Sequence, residues 1–410
     1  MNPFAANSVA RHSLAWLLAA NLVGLLLAAL QRWPGLNEAL APLTYGRWVP
    51  LHLDWQLYGW CSLPLVGALL AWLSDPADPA AASQARWALR GWSLALALGG
   101  VSWLAGATSG KLFLDWSGWA RPVLPLAMAG LWGVLALAVW RRRPGLGRGA
   151  LGARVALLTG LLAVPILLFQ AASREVYPSV NPDSGGATGT SLLASTLVIV
   201  AIGGLLPVLL GVARRPERPA RGAWFWLAWL GAVAVCAMLG RGDVSHHAWS
   251  QILGLGTLLL WAPLGWIHYR SFAWPAAAGR WLAATGVWWV LLLLTGWLVF
   301  LPGALERAKF TDLLVAHSHL AMAGFVTSLN GVVLAALGRA PGGGRTAFAA
   351  WQIGAGAMLA ILVGLGWGEI VRPADYFLGA PWIDFCLDAR LAAGGLMTIA
   401  SAAWMRRVEA

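Results

Sequence analysis

SLAWLLAANLVGLLLAAL (13–30) is an uncharged run of eighteen residues that follows Arg11 and His12. At about 1.5 Å of helical rise per residue it reaches about 27 Å, close to the ~30 Å hydrocarbon core of a bilayer. It is longer than the apolar core of a cleaved signal peptide and reads as a retained first transmembrane helix. The rest of the chain repeats the pattern. Apolar runs between clusters of Arg, Pro and Gly predict helices near 12–31, 51–74, 87–107, 119–140, 151–171, 190–213, 223–240, 247–268, 279–301, 312–337, 348–366 and 387–405. Runs of that length are not the alternating pattern of barrel strands, and only helices satisfy their own backbone groups in lipid without closing a barrel. The expected fold is an all-α integral membrane protein of about twelve transmembrane helices, with residues 1–410 forming a single transmembrane domain.

Composition agrees. Of the 410 residues 59% are hydrophobic and only 11% charged, against roughly 25% charged in soluble domains. The formal charge of +12 does not mark a nucleic-acid binder, because the cations are almost all Arg in short connections between apolar runs. Numbered alternately, those connections place 18 of the 28 Lys and Arg on the side of the N-terminus, notably in RRRPGLGRGALGAR (141–154) and ARRPERPARG (213–222). The positive-inside rule then predicts both termini in the cytoplasm of a bacterial-type inner membrane. Twelve of the 16 acidic residues fall on the other face, among them Glu38, Asp54, Asp115, Glu175, Asp183, Asp243, Glu306 and Asp312. A solvated rim is the blander reading of that excess, and a dock for a basic electron carrier the sharper one.

The 28 Trp exceed what two interfacial belts need, so many should line the interior or pack on a large planar group. Cys61, Cys236 and Cys386 lie far apart, with no CxxC pair and no CxxCH for covalent heme.

Among the seven histidines, the pair in AHSHLAMAGF (316–325) is the most informative. In a helix, positions i and i+2 point about 200° apart, so His317 and His319 face different neighbours and cannot share one metal. His52, in YGRWVPLHLDWQLYGW (45–60), opens the second helix at a similar depth on the same side. It can supply the opposing nitrogen to one of two cofactors, giving one six-coordinate bis-histidine heme and one heme on a single histidine. Core histidines bonded to backbone carbonyls are the alternative. His246 and His247, in GRGDVSHHAWSQ (240–251), sit at a loop–helix junction, where a solvated junction is favoured over a metal site.

These segments resemble subunit I of the heme-copper oxidases, especially the cbb-type cytochrome c oxidases and the nitric oxide reductases. TDLLVAHSHLAMAGF (311–325) resembles the tenth-helix segment with both heme ligands, and residues 45–60 resemble the start of the second helix. Supporting similarities lie at 108–122, 205–219, 248–266 and 387–397. The resemblance implies an oxidase-like helical bundle, with a low-spin heme b on His52 and His319 and a second, high-spin heme on His317. It implies Arg390 as a partner for a heme propionate and a calcium ion near Asp115. It also implies a c-type cytochrome or cytochrome-like subunit as partner, with quinol as a further candidate. The family's copper B rests on a histidine of the sixth helix and a pair on the seventh. Neither 184–200 nor 222–240 contains a histidine, so copper B, and with it oxygen or nitric oxide reduction, is not expected. The competing class is a polytopic transporter or proton channel with structural histidines.

Overall fold

The computed structural model describes residues 3–177, 180–215 and 221–406. Among them every regular element is helical, and pairing outside helices is limited to two isolated bridges, Val180 with Ala187 and Arg214 with Phe272. The long helices are α1 (Pro3–Arg32), α2 (Tyr45–Leu73), α3 (Pro79–Leu104), α4 (Gly118–Gly145), α5 (Arg148–Ala171), α6 (Gly189–Leu209), α7 (Arg221–Leu239), α8 (Trp249–Arg270), α9 (Ala276–Phe300), α10 (Asp312–Ala336), α11 (Gly344–Val371) and α12 (Pro381–Arg406). Each of the twelve apolar runs falls on one of them. Among the described residues nine of these are long and apolar enough to cross a membrane, all but α3, α7 and α12. The chain is thus a multi-pass, all-α membrane protein. Large apolar side chains such as Leu126, Trp140, Leu167 and Val198 are exposed along the spans, where lipid is their solvent.

Local signals set several helix starts. The Asp78 carboxylate accepts from Ala80 N at 2.8 Å, the Thr188 hydroxyl from Ser191 N at 3.1 Å and the Thr311 hydroxyl from Leu313 N at 3.3 Å. Each satisfies a first-turn N–H that the helix itself leaves open.

The chain forms two compact units from interleaved stretches. One comprises 1–176, 333–354 and 391–410, and in it α1 packs on α2 and α3, α3 on α4, and α4 on α5. Lipid offers indole N–H groups no acceptor, so each needs one inside the protein. Trp55 donates to the Leu96 carbonyl at 3.0 Å, Trp92 to Tyr58 at 2.9 Å and Trp103 to Asp115 at 2.6 Å. The other unit comprises 177–332 and 355–390, with a core of Leu193, Leu197, Phe225, Ile252, Trp261 and Phe300 drawn from α6 to α9. Trp60, Trp103, Trp116, Trp281, Trp351 and Trp404 are fully buried, as expected of a Trp-rich interior.

Two helices leave the α-helical register. Trp55–Cys61 in α2 and Leu320–Val326 in α10 wind as π-helix, with Ser62 N donating to Leu57 O and Thr327 N to Met322 O. One stretch begins three residues after His52, the other directly after His319. Such π turns recur at functional positions, where an extra residue is held in the helix at some energetic cost.

Candidate functional site

His52 lies in the first unit, on α2. Its Nδ1 is 2.8 Å from the Ala20 carbonyl of α1, and its ring lies on Gly24 of that helix, one turn further along. A Cβ at position 24 would come within 2.8 Å of His52 Cε1, so only glycine leaves the imidazole its place. A carbonyl oxygen can only accept, so Nδ1 carries the proton and Nε2 the lone pair.

His317 and His319 belong to the second unit, on α10. His317 turns toward α9, with Nδ1 3.1 Å from Thr295 Oγ1 and the ring over Gly296, where a Cβ would stand 3.2 Å from Cε1. The Thr295 hydroxyl gives its own proton to the Leu291 carbonyl at 2.8 Å, so it receives the Nδ1–H of His317. His319 is tied to its own helix, Nδ1 lying 2.9 Å from the Val315 carbonyl one turn back. All three histidines named from the sequence therefore hold the tautomer in which Nε2 is the basic nitrogen. That is the donor set heme iron takes, a neutral imidazole oriented by a hydrogen bond at its other nitrogen. The residues that orient the rings, Ala20, Gly24, Thr295 and Gly296, have no sequence signal of their own, being ordinary small residues inside apolar runs.

Two sequence expectations need correction. The first concerns the acidic outer face, because Asp54 is fully buried and Asp115 nearly so. The helix of Asp54 begins at Tyr45, six residues before the expected boundary, which carries the carboxyl into the helix interior beside Asp115 and Trp116.

Asp115, the residue expected near a calcium ion, sits on a turn of its own. Asp115 Oδ1 accepts from Ser109 N, from Ser109 Oγ at 2.9 Å and from Gly110 N at 3.3 Å. That oxygen is thus spent on N–H and O–H donors, while a calcium ion would need six to eight oxygen ligands, a set that these hydrogen bonds do not assemble.

The second correction concerns His246, read as part of a solvated junction. Its side chain is fully buried, with Nε2 2.6 Å from Glu306 Oε1 and Nδ1 3.8 Å from Asp183 Oδ2. The short helix Ala304–Ala308 after α9 carries Glu306 to it. His247 keeps the expected exposure, at 53%. Burial pulls the Glu306 carboxyl upward, but hydrogen bonds from its own backbone, His246 and Gly303 outweigh this and hold it below the usual carboxylate range.

Arg390, named for a propionate, faces the carboxylates of Asp312 and Glu369, and Asp312 N donates to Glu369 Oε2 at 2.6 Å. His12 and His268 have structural partners. His12 Nδ1 lies 2.7 Å from Ser93 Oγ, while His268 donates from Nε2 to the Gly204 carbonyl at 3.0 Å and stacks on Phe225. His268 thus engages its Nε2, whereas each of the three candidate ligands is engaged at Nδ1. The second unit also carries a half-open apolar pocket of about 600 Å³ lined by Phe225, Trp261, Trp266, Trp289 and Phe325.

These features define the class, an all-helical multi-pass membrane protein with three tautomer-fixed histidines. No protein-family model matches the chain, and no curated protein is significantly similar to it in sequence.

Proposed function

We propose that the chain is the heme b-binding membrane subunit of a respiratory electron-transfer complex, similar to subunit I of the cytochrome c oxidases. The observation that supports this reading is the shared state of His52, His317 and His319, each engaged at Nδ1 and basic at Nε2. Heme, when bound, supplies one-electron chemistry, and its potential follows axial ligation, burial and hydrogen bonding. The protein's own part is to hold the imidazoles at fixed orientation. That His52 and His319 share a low-spin heme, with His317 on a second one, rests on their sequence positions. Arg390 is the candidate for a propionate.

The proposed setting is a bacterial inner membrane, with about twelve spans in an oxidase-like bundle and both termini cytoplasmic. A c-type cytochrome, or quinol, exchanges electrons with it. Oxygen and nitric oxide reduction stay outside the proposal, because neither α6 nor α7 carries a histidine to hold copper. The test is the visible spectrum and pyridine hemochrome of the purified chain. Reduced b-type bands support the reading, and a colourless protein after expression with heme supplementation refutes it.

A second reading, a proton-conducting transporter, is favoured by one observation. Asp54 and Asp115 are buried next to each other, and ionisable residues inside a membrane protein mark proton paths. Absence of b-type bands together with proton flux in vesicles that is lost in Asp54→Asn would select it.

A further inference from the structure

Asp183 on the connection between α5 and α6, His246 and His247 before α8, and Glu306 after α9 come from three separate connections of the second unit. Their side chains converge. One ligand atom from each of Asp183, His246 and His247 lies within 4.8 Å of the other two.

The tautomer of His246 carries the argument. Glu306 Oε1 is 2.6 Å from Nε2, and Glu306 is itself oriented by Gly303 N, which donates to Oε2 at 2.6 Å. A carboxylate can only accept, so a proton sits on Nε2, and the neutral ring then carries its lone pair on Nδ1. That Nδ1 is fully buried, has no hydrogen-bond partner, and faces Asp183 Oδ2 at 3.8 Å. In the neutral ring two electron-rich atoms thus face each other, in a place water does not reach on the histidine side. A cation placed between them would be held by both. At metal–ligand distances of about 2.0–2.2 Å, two ligands of a tetrahedral site stand roughly 3.3–3.6 Å apart, close to the gap already present.

We infer that Asp183, His246 and His247 form a binding site for a divalent transition cation of the zinc type, with Glu306 as the carboxylate that orients His246. Two imidazoles and a carboxylate suit zinc, and the pairing of a ligating histidine with a carboxylate at its far nitrogen is the usual support of such sites. Ser245 Oγ donates to Asp183 Oδ2, and His247 N donates to Ser245 Oγ at 3.1 Å, so one serine ties two of the ligands together. His247 is 53% and Asp183 39% exposed, which leaves the cation a path from water and the fourth position to solvent. The site is independent of heme, and its test does not require heme to be present.

The test is equilibrium dialysis of the chelator-stripped, detergent-solubilised full chain against Zn²⁺ alone, with metal counted per chain and thermal melting as a folding control. One zinc per chain is expected. Asp183→Asn and His247→Ala, both at exposed positions, should each weaken binding at least tenfold without changing elution or melting of the metal-free protein. Glu306→Gln, which removes only the orienting charge, should weaken it by 10- to 100-fold. Failure of the wild-type chain to take up zinc at micromolar concentration overturns the proposal, as does undiminished binding by folded Asp183→Asn and His247→Ala chains.

Discussion

His52 on α2 and His317 on α10 lie in different units, yet both rings rest on a glycine of a neighbouring helix that also accepts their Nδ1–H. The acceptors differ. For His52 it is a backbone carbonyl, fixed by the helix and beyond the reach of any side-chain change. For His317 it is the Thr295 hydroxyl, which accepts only because its own proton is spent on Leu291. The glycines differ too, since Gly24 leaves less space than Gly296, 2.8 against 3.2 Å to an added Cβ. His52 is therefore held the more rigidly, and His317 through a side chain that mutation can remove.

The largest expected effect comes from the ligands themselves. His52→Ala and His319→Ala should each abolish a bis-histidine low-spin spectrum, whereas His317→Ala should remove only the second heme. Low-spin bands surviving in just one of the first two variants would break the pairing of His52 with His319.

Next in size is the acceptor of His317. Thr295→Val leaves a half-buried Nδ1–H without its partner, which costs on the order of 1–3 kcal/mol. The heme on His317 should then dissociate 10- to 100-fold more readily, as followed by transfer to apomyoglobin, while Thr295→Ser retains it. Equal retention in the Val and Ser variants would show that the hydroxyl does not orient the ring.

Smaller, and a direct measure of the difference in space, is the glycine pair. Gly24→Ala forces the imidazole of His52 to move and should lower heme content several-fold. Gly296→Ala asks for a few tenths of an ångström and should do no more than shift the spectrum. The reverse order would mean that His52, not His317, has room to give.

The smallest effect concerns the outer face. If a basic cytochrome docks there, electron transfer should slow modestly as ionic strength rises toward 0.15 M, where screening sets in at about 8 Å. Burial of Asp54 and Asp115 removes two charges from that face, so the salt dependence should be unaffected by Asp54→Asn.

Helix positions were legible in the sequence because membrane spans follow from length and hydropathy. The start of α2 was not. Arg47 and Pro50 read as a break, but the Arg47 guanidinium donates to the Leu104 carbonyl at 2.6 Å and Pro50 is accommodated within the helix. That misplaced boundary is also why Asp54 looked like a surface acid. His52, His317 and His319 could be singled out from rarity and angular spacing, whereas their tautomers could not, because these depend on a carbonyl or hydroxyl of a particular turn. The meeting of Asp183, His246 and Glu306 was equally hidden, since these residues are about 60 positions apart and only the folded connections bring them together. A weak trace did exist, in that alternate numbering of the connections assigns all three to the same side.

The π turns behind His52 and His319 also fix the phase between the two ends of each helix. Every residue adds about 100° of rotation to an α-helix, and a π turn absorbs one extra residue without passing that rotation on. Deleting one residue within Trp55–Cys61 would let α2 close into a regular spiral, keeping Leu63–Leu73 on its packing face and leaving His52 in place. Deleting one residue anywhere between Leu63 and Leu73 would instead swing the remainder of that helix by more than a quarter turn. The two stretches are thus places where the chain can lose length without losing alignment, and a scan of single deletions along α2 and α10 should show tolerance confined to them.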